Sequence, residues 1–119
     1  MARSMLVISR QAPWSGLAAR EALDIALAGG AFELPLALLL LDDGVFQLSA
    51  GQRPESLEQK DLSANLKALP LFGIETIHVA RDSLVQRGLD IDSLGHPIEL
   101  IEESRLGDFI ARFDHVVTL

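Results

Sequence analysis

The chain has no cysteine and no tyrosine, one tryptophan, and aromatic residues at only 5% of its 119 positions. Without cysteine there is no disulfide, no thiolate metal ligand, no cysteine nucleophile and no persulfide carried on this chain. Cations are scarce too. Ten Lys and Arg stand against 17 Asp and Glu, a formal net charge of −7 with a pI near 4.8. A surface of that sign does not neutralise phosphates, so direct binding of nucleic acid or of an anionic membrane is disfavoured. Long apolar runs are missing as well. The longest, residues 34–41, falls far below the ~20 residues that a membrane helix requires. The run Met5 to Ile8 is too short for the core of a signal peptide, so a cytoplasmic location is expected.

What the chain does have is aliphatic bulk. Hydrophobic residues make up 49% and the mean hydropathy is +0.28, contributed by Leu, Ala, Ile and Val. No repeat, low-complexity tract or linker interrupts it, so residues 1–119 read as one domain, long enough to close a single core. So much apolar character in a small chain points to surface covered by partner subunits.

Taken in order, Met5 to Arg10 reads as a first short strand, broken by Pro13 and Gly16, with Ser15 placed as the N-cap of the first helix. Leu17 to Ala28 has helical periodicity: Leu23 and Leu27 lie four apart, as do Ala18, Ala22 and Ala26, with Arg20, Glu21 and Asp24 on a polar side. Gly29-Gly30 is expected to stop that helix. Leu34 to Leu41 has no polar alternation, the mark of a strand buried on both faces of a parallel sheet. Pro54 opens a further helix, with Ser56-Leu57-Glu58-Gln59 as a capping box, that runs to about Ala68. Ile74 to Ala80 is a third strand, and Arg81-Asp82-Ser83 opens a short helix ending at Gly88. After a loop at residues 90–97, Ile98 to Glu102 is a fourth strand, placed near an edge by its alternating charge. Ser104 to Arg112 is a last helix and His115 to Leu119 a fifth strand.

The alternation predicts an α/β fold: one three-layer domain with a five-stranded, mostly parallel sheet flanked by helices. A flavodoxin-like strand order, 2-1-3-4-5, is expected. In that order the binding crevice opens outside the carboxyl ends of strands one and three, between Gln11 to Ser15 and Ala80 to Ser83. Little chemistry is found there. Gln11 to Gly16 has one glycine and a bulky Trp14, which rules out a phosphate-cradling loop. Ser83 and His78 are too far apart along the strand and loop to form a nucleophile and its base. His96 and His115 show no metal-ligand spacing. Asp42 and Asp43 could ligate a divalent cation, but backbone hydrogen bonding is the commoner use of such a pair. Glu99, Glu102 and Glu103 read as a solvated face. Neither a cofactor nor a metal is expected.

The unusual stretch is Asp42-Asp43-Gly44-Val45-Phe46-Gln47-Leu48, where two large apolar residues stand in a loop position. Either Phe46 folds back on the core or another chain covers it.

This stretch, with Gly51-Gln52-Arg53-Pro54 downstream, resembles the DsrE/DsrF-like family, and within it the TusC group. The likeness continues through Gly16 to Asp24, Ile74-Glu75 and Ser83 to Leu89, so it spans nearly the whole chain. It implies a heterohexamer in which this chain sits with TusB-like and TusD-like sister subunits. Such a complex receives persulfide sulfur from a TusA-like carrier and passes it to a TusE-like one, toward 2-thiolation of the tRNA wobble uridine. In the sulfur-bearing subunit a cysteine ends the third strand, and counting back from Arg87-Gly88 puts that position at Ala80. The resemblance therefore implies an accessory subunit, not an enzyme. Asp42, Asp43, Gly44, Val45, Phe46, Gln47, Leu48 and Trp14 become the candidate interface, with the loop favoured as contact surface over core. A DsrF-like role in sulfur oxidation, or a homo-oligomeric small-molecule-binding protein of the same fold, are the alternatives.

Overall fold

The computed structural model describes residues 4–12, 18–31, 35–48, 66–90 and 97–119. Trp14, Ser15, His96 and most of the helix expected over residues 54–68 lie outside them; residues 66–68 are helical. Five strands and three helices are described: β1 (Met5–Ser9), α1 (Ala18–Ala31), β2 (Leu36–Leu40), β3 (Ile77–Ala80), α2 (Arg81–Gln86), β4 (Ile98–Ile101), α3 (Glu103–Ala111) and β5 (His115–Thr118). Two 3-10 helices, Asp42–Leu48 and Leu69–Phe72, complete them.

All the strand pairings among the described residues are parallel, so the expected α/β sandwich is present. The order within the sheet is β4-β3-β2-β1-β5, not 2-1-3-4-5. The reason lies in β2. An order that begins with strand two would leave Leu36–Leu40 on an edge, whereas Leu38, Leu39 and Leu40 are each at most 1% exposed. A strand apolar on both faces has to be flanked on both sides. The chain therefore steps one strand at a time from β1 to β4, then returns across the sheet to place β5 beside β1. β4 takes the far edge, as its charge alternation predicts, and β5, mostly exposed, takes the other.

Each face of the sheet has its own core. On one, Val7, Leu38, Leu40, Ile77 and Val79 meet Ala19, Ala22, Leu23 and Ala26 of α1, together with Leu66, Leu69 and Leu84. On the other, Leu6, Ile8, Leu39 and Ile101 meet Phe109 of α3, with Leu106, Ile110 and Phe113 alongside. Helices on opposite faces follow from the reversal of stepping direction between β4 and β5, since crossovers in parallel sheets are right-handed.

Helix α1 does not stop at Gly29-Gly30 but runs through both to Ala31. The glycines serve contact, not termination. A Cβ on Gly29 would lie 2.5 Å from Leu36 Cδ1, and one on Gly30 would lie 2.6 Å from the Phe72 carbonyl oxygen. The helix thus lies flush against the start of β2 and against the Leu69–Phe72 turn.

Two glycine substitutions should therefore move stability in opposite directions. Gly107, inside α3 with no heavy atom near its missing Cβ, should gain about 0.5–1 kcal/mol on Gly107→Ala from reduced backbone entropy. Gly30→Ala has the same propensity gain but drives a Cβ into backbone. It should lose about 1–3 kcal/mol net. Urea unfolding midpoints of the two variants check both signs.

Candidate functional site

Opposed charges stand at the carboxyl ends of neighbouring strands: Arg10 after β1 and Asp42 after β2. They meet. Arg10 Nε and Nη2 both reach Asp42 Oδ2, at 2.8 and 2.6 Å. Asp42 is the one described non-glycine residue with a positive φ, 50°, a left-handed conformation that costs roughly 1–2 kcal/mol for an L-residue. The turn is held by what it satisfies. The Asp42 amide donates to Ser83 Oγ at 2.9 Å, and the Gly44 amide to the Leu41 carbonyl at 2.9 Å. Asp43 accepts from Arg87 Nε at 2.9 Å.

The stretch expected to be a loop is thereby a 3-10 helix of seven residues, Asp42–Leu48. Gly44 packs on the end of β1 so closely that a Cβ there would land on the Ser9 carbonyl oxygen. Val45 is fully buried and Leu48 is 1% exposed, both in the core shared with α1. This corrects the expectation that Val45 is presented to another subunit: its surface is used inside this chain, as is that of Leu48. Gln47 is buried as well, donating from Nε2 to Ser9 Oγ at 2.7 Å and to the Gln11 carbonyl at 3.3 Å. Asp43 is exposed, and Asp42 and Phe46 are half-buried. Those three are the outward part of the stretch.

A cleft of about 310 Å³ opens beside this helix, with Ala80, Ile101 and Leu106 in its lining and Arg10, Asp42 and Ser83 around it. It lies at the carboxyl ends of the strands, where a site was expected, but the strand order changes its composition. β2 lies between β1 and β3, so Asp42 stands where the expected order would have placed the crevice itself. Asp82 and Glu103 also border the cleft. A hydrogen bond that the protonated Glu103 carboxyl donates to Asp82, reinforced by the negative charge of Asp82, pushes the Glu103 pKa above its usual value. The cleft floor is Ala80, 5% exposed.

The candidate nucleophile and base are not brought together. Ser83 Oγ is occupied by the Asp42 amide. His78 lies on the sheet face beneath α3, its ring centroid 4.7 Å from that of Phe109. Its buried Nδ1 has no hydrogen-bond partner among the described residues and stands 3.9 Å from Glu99 Oε1. Burial pushes the His78 pKa below its ordinary value, more than the Glu99 charge lifts it. Asp42 and Asp43, the candidate cation ligands, each face an arginine instead. The charge partners Arg10 and Arg87 and the buried Gln47–Ser9 bond were not picked out from sequence. An arginine and an aspartate ending adjacent strands is the signal that could have found the first.

With the geometry in place, the comparison with known proteins decides the family. The DsrE/DsrF-like sequence profile matches residues 3–119. The chain belongs to the DsrE/DsrF-like family. Among relatives, a Pseudomonas aeruginosa protein named TusC homolog is 56% identical over 119 residues, covering all of both chains. The intracellular sulfur oxidation protein DsrF of Allochromatium vinosum is 31% identical over 96% of this chain and 94% of its own. The fold is that of the crystal structure of the ychN protein from E. coli, which superposes with a TM-score of 0.77 at 23% identity and full coverage of both chains. No helix among the described residues is long and apolar enough to cross a membrane. In this DsrE/DsrF-like chain the cleft is framed by groups already engaged with one another.

Two measurements test that framing. Ser83→Ala leaves the Asp42 amide without its acceptor at a strained residue, and should cost about 1–3 kcal/mol in urea unfolding. For His78 the sign follows from its lowered pKa. Above an unfolded value near 6.5 the ring is neutral in both states. As pH falls below that, the unfolded chain binds the proton first, and stability is lost until the folded pKa is passed. The stability of the wild type relative to His78→Phe should therefore fall as the pH is lowered through about 6.5.

Proposed function

We propose that the chain is a non-catalytic subunit of a heteromeric, cytoplasmic sulfur-relay complex, one that passes persulfide sulfur toward 2-thiolation of the tRNA wobble uridine. The observation that carries this reading is the absence of any cysteine in a chain of this family whose cleft ends in Ala80. Sulfur cannot be held here as a persulfide, because that requires a thiol. The fold and cleft persist without the nucleophile, which is what a paralogue retained for assembly would keep. The relative named TusC homolog supports the same role.

In this reading TusB-like and TusD-like sister subunits are the direct partners, and TusA-like and TusE-like carriers meet the complex through a sister subunit. The contact surface is the outward part of the Asp42–Leu48 stretch: Phe46 flanked by Asp42 and Asp43. Trp14 is proposed to belong to the same surface. Val45, Gly44, Gln47 and Leu48 hold the stretch in shape from beneath. The likeness to DsrF favours a second reading, a subunit of the corresponding assembly in sulfur oxidation. The two share the fold and the contact surface.

Co-expression with TusB-like and TusD-like subunits, followed by size-exclusion chromatography, tests the proposal. Co-elution in one heteromeric peak is expected. A stable monomer that ignores both would refute it. Phe46→Ala locates the surface: recovery of the complex should fall sharply, while the isolated chain should lose less than the ~3–5 kcal/mol typical of a fully buried phenylalanine.

A further inference from the structure

The chain carries few cations, and most of those described are matched. Arg10, Arg20, Arg81 and Arg87 each face a carboxylate. Arg105 and Arg112 face none among the described residues; Arg105 lies on α3 and Arg112 is its C-cap, at the far edge of the sheet. Between them on the helix is Phe109, over whose ring the Arg112 guanidinium stands 6.0 Å from the centroid. These three side chains form one wall of a groove of about 150 Å³ whose other wall is β4. From that strand Glu99 points into the same groove, its side chain 60% exposed. Its nearest cationic candidate, His78, stands 3.9 Å away, beyond hydrogen-bond reach, and burial disfavours its charged form, so Glu99 has no hydrogen-bonded counter-charge among the described residues. The neighbouring Glu102 is already paired with Arg81 at 2.8 Å.

Beside this groove the sheet ends. Among the described residues β4 pairs only with β3. The Ile77 amide donates to the Pro97 carbonyl at 3.1 Å. By the alternation of a parallel ladder, Glu99 and Ile101 then turn their main chain inward, while Ile98 and Leu100 turn N–H and C=O outward. An edge of this kind is a template for another strand.

We propose that this edge is a homotypic interface, occupied by β4 of a second copy of the chain running antiparallel across a two-fold axis. Charge complementarity selects that occupant. The patch holds two unpaired cations and one unpaired carboxylate side by side, which makes it complementary to itself. A two-fold contact requires that property, because the same surface serves both copies. The axis brings each Glu99 toward the guanidinium wall of the other copy, and antiparallel pairing is the only register in which two identical edges satisfy each other. The resulting sheet would be continuous through both molecules. Such a contact lies beyond the proposed sulfur-relay role and does not rest on it, since the chain alone is sufficient to form it.

Sedimentation of the isolated full-length chain at low salt tests it. A dimer that dissociates on dilution and on adding salt is expected. Arg105→Glu with Arg112→Glu should weaken it by about tenfold or more, about 1.4 kcal/mol. Adding Glu99→Arg to that pair should restore it, since the swap re-creates complementarity across the axis. A wild type that stays monomeric at every soluble concentration would overturn the proposal, as would a dimer indifferent to the charge reversals. If the variants misfold, hydrogen exchange on the unmodified chain decides. The amides of Ile98 and Leu100 should slow as concentration rises, and rates that do not change would refute the interface. Failure here leaves the co-expression result untouched, so the two readings are separately tested.

Discussion

The structure depends on how one tight turn is seated at the top of the sheet. β2 ends, the chain takes a left-handed step at Asp42, and the next residues close down on the end of β1 without room for a single methyl at Gly44. Four contacts hold the step in place. Arg10 grips the Asp42 carboxylate from β1, Ser83 accepts its amide from α2, Arg87 takes Asp43, and Gln47 reaches back to Ser9. Together they tie three successive strand ends into one junction. The conformational cost at Asp42 is tolerated because so many partners over-determine it. The same junction aims Val45 and Leu48 downward into the core and leaves Phe46 at the rim.

Much of this is legible in the sequence, and what is not has physical causes. The strands announce themselves because buried strands are short apolar runs with turn residues on either side. The edge position of β4 follows from Glu99 and Glu102 interrupting its pattern. The order of strands is harder, because periodicity reports how buried a strand is, not which neighbour it takes. Leu36 to Leu40 nevertheless carries the answer, being apolar on both faces and so unfit for an edge. Gly29-Gly30 misleads for a related reason. A glycine pair signals either freedom of φ or closeness of packing, and only the position of Leu36 and Phe72 tells which. Val45 reads as an interface residue because an apolar residue outside a strand looks exposed. A 3-10 helix that turns Val45 and Leu48 into the core removes that premise.

The cleft separates what topology sets from what side chains set. Its location at the carboxyl ends of parallel strands comes from topology and would persist under almost any side-chain set. What sits in it is particular to this chain: Ala80 at the floor, a serine engaged by backbone, and carboxylates engaged by arginines or by each other. Such groups fix shape and have little left over for a substrate. The absence of cysteine is plain in the sequence, because it needs no fold to interpret. The sequence could not state that Ser83 was taken, since its partner comes from a residue 41 positions away.

One detail of the ladder links parts of the molecule that otherwise look unrelated. The Arg10 amide donates to the Leu119 carbonyl at 2.9 Å, and the Leu119 amide to the Ile8 carbonyl at 2.9 Å. The backbone that carries the Arg10 guanidinium over the cleft is thus laced to the outermost strand. Edge strands fray more readily than interior ones, opening locally at a fraction of the global unfolding free energy. The rim of the cleft therefore shares its clock with β5. Fraying of β5 would release the Arg10 amide from Leu119 and leave the end of β1 held from one side only, by the Leu41 amide on the Ser9 carbonyl.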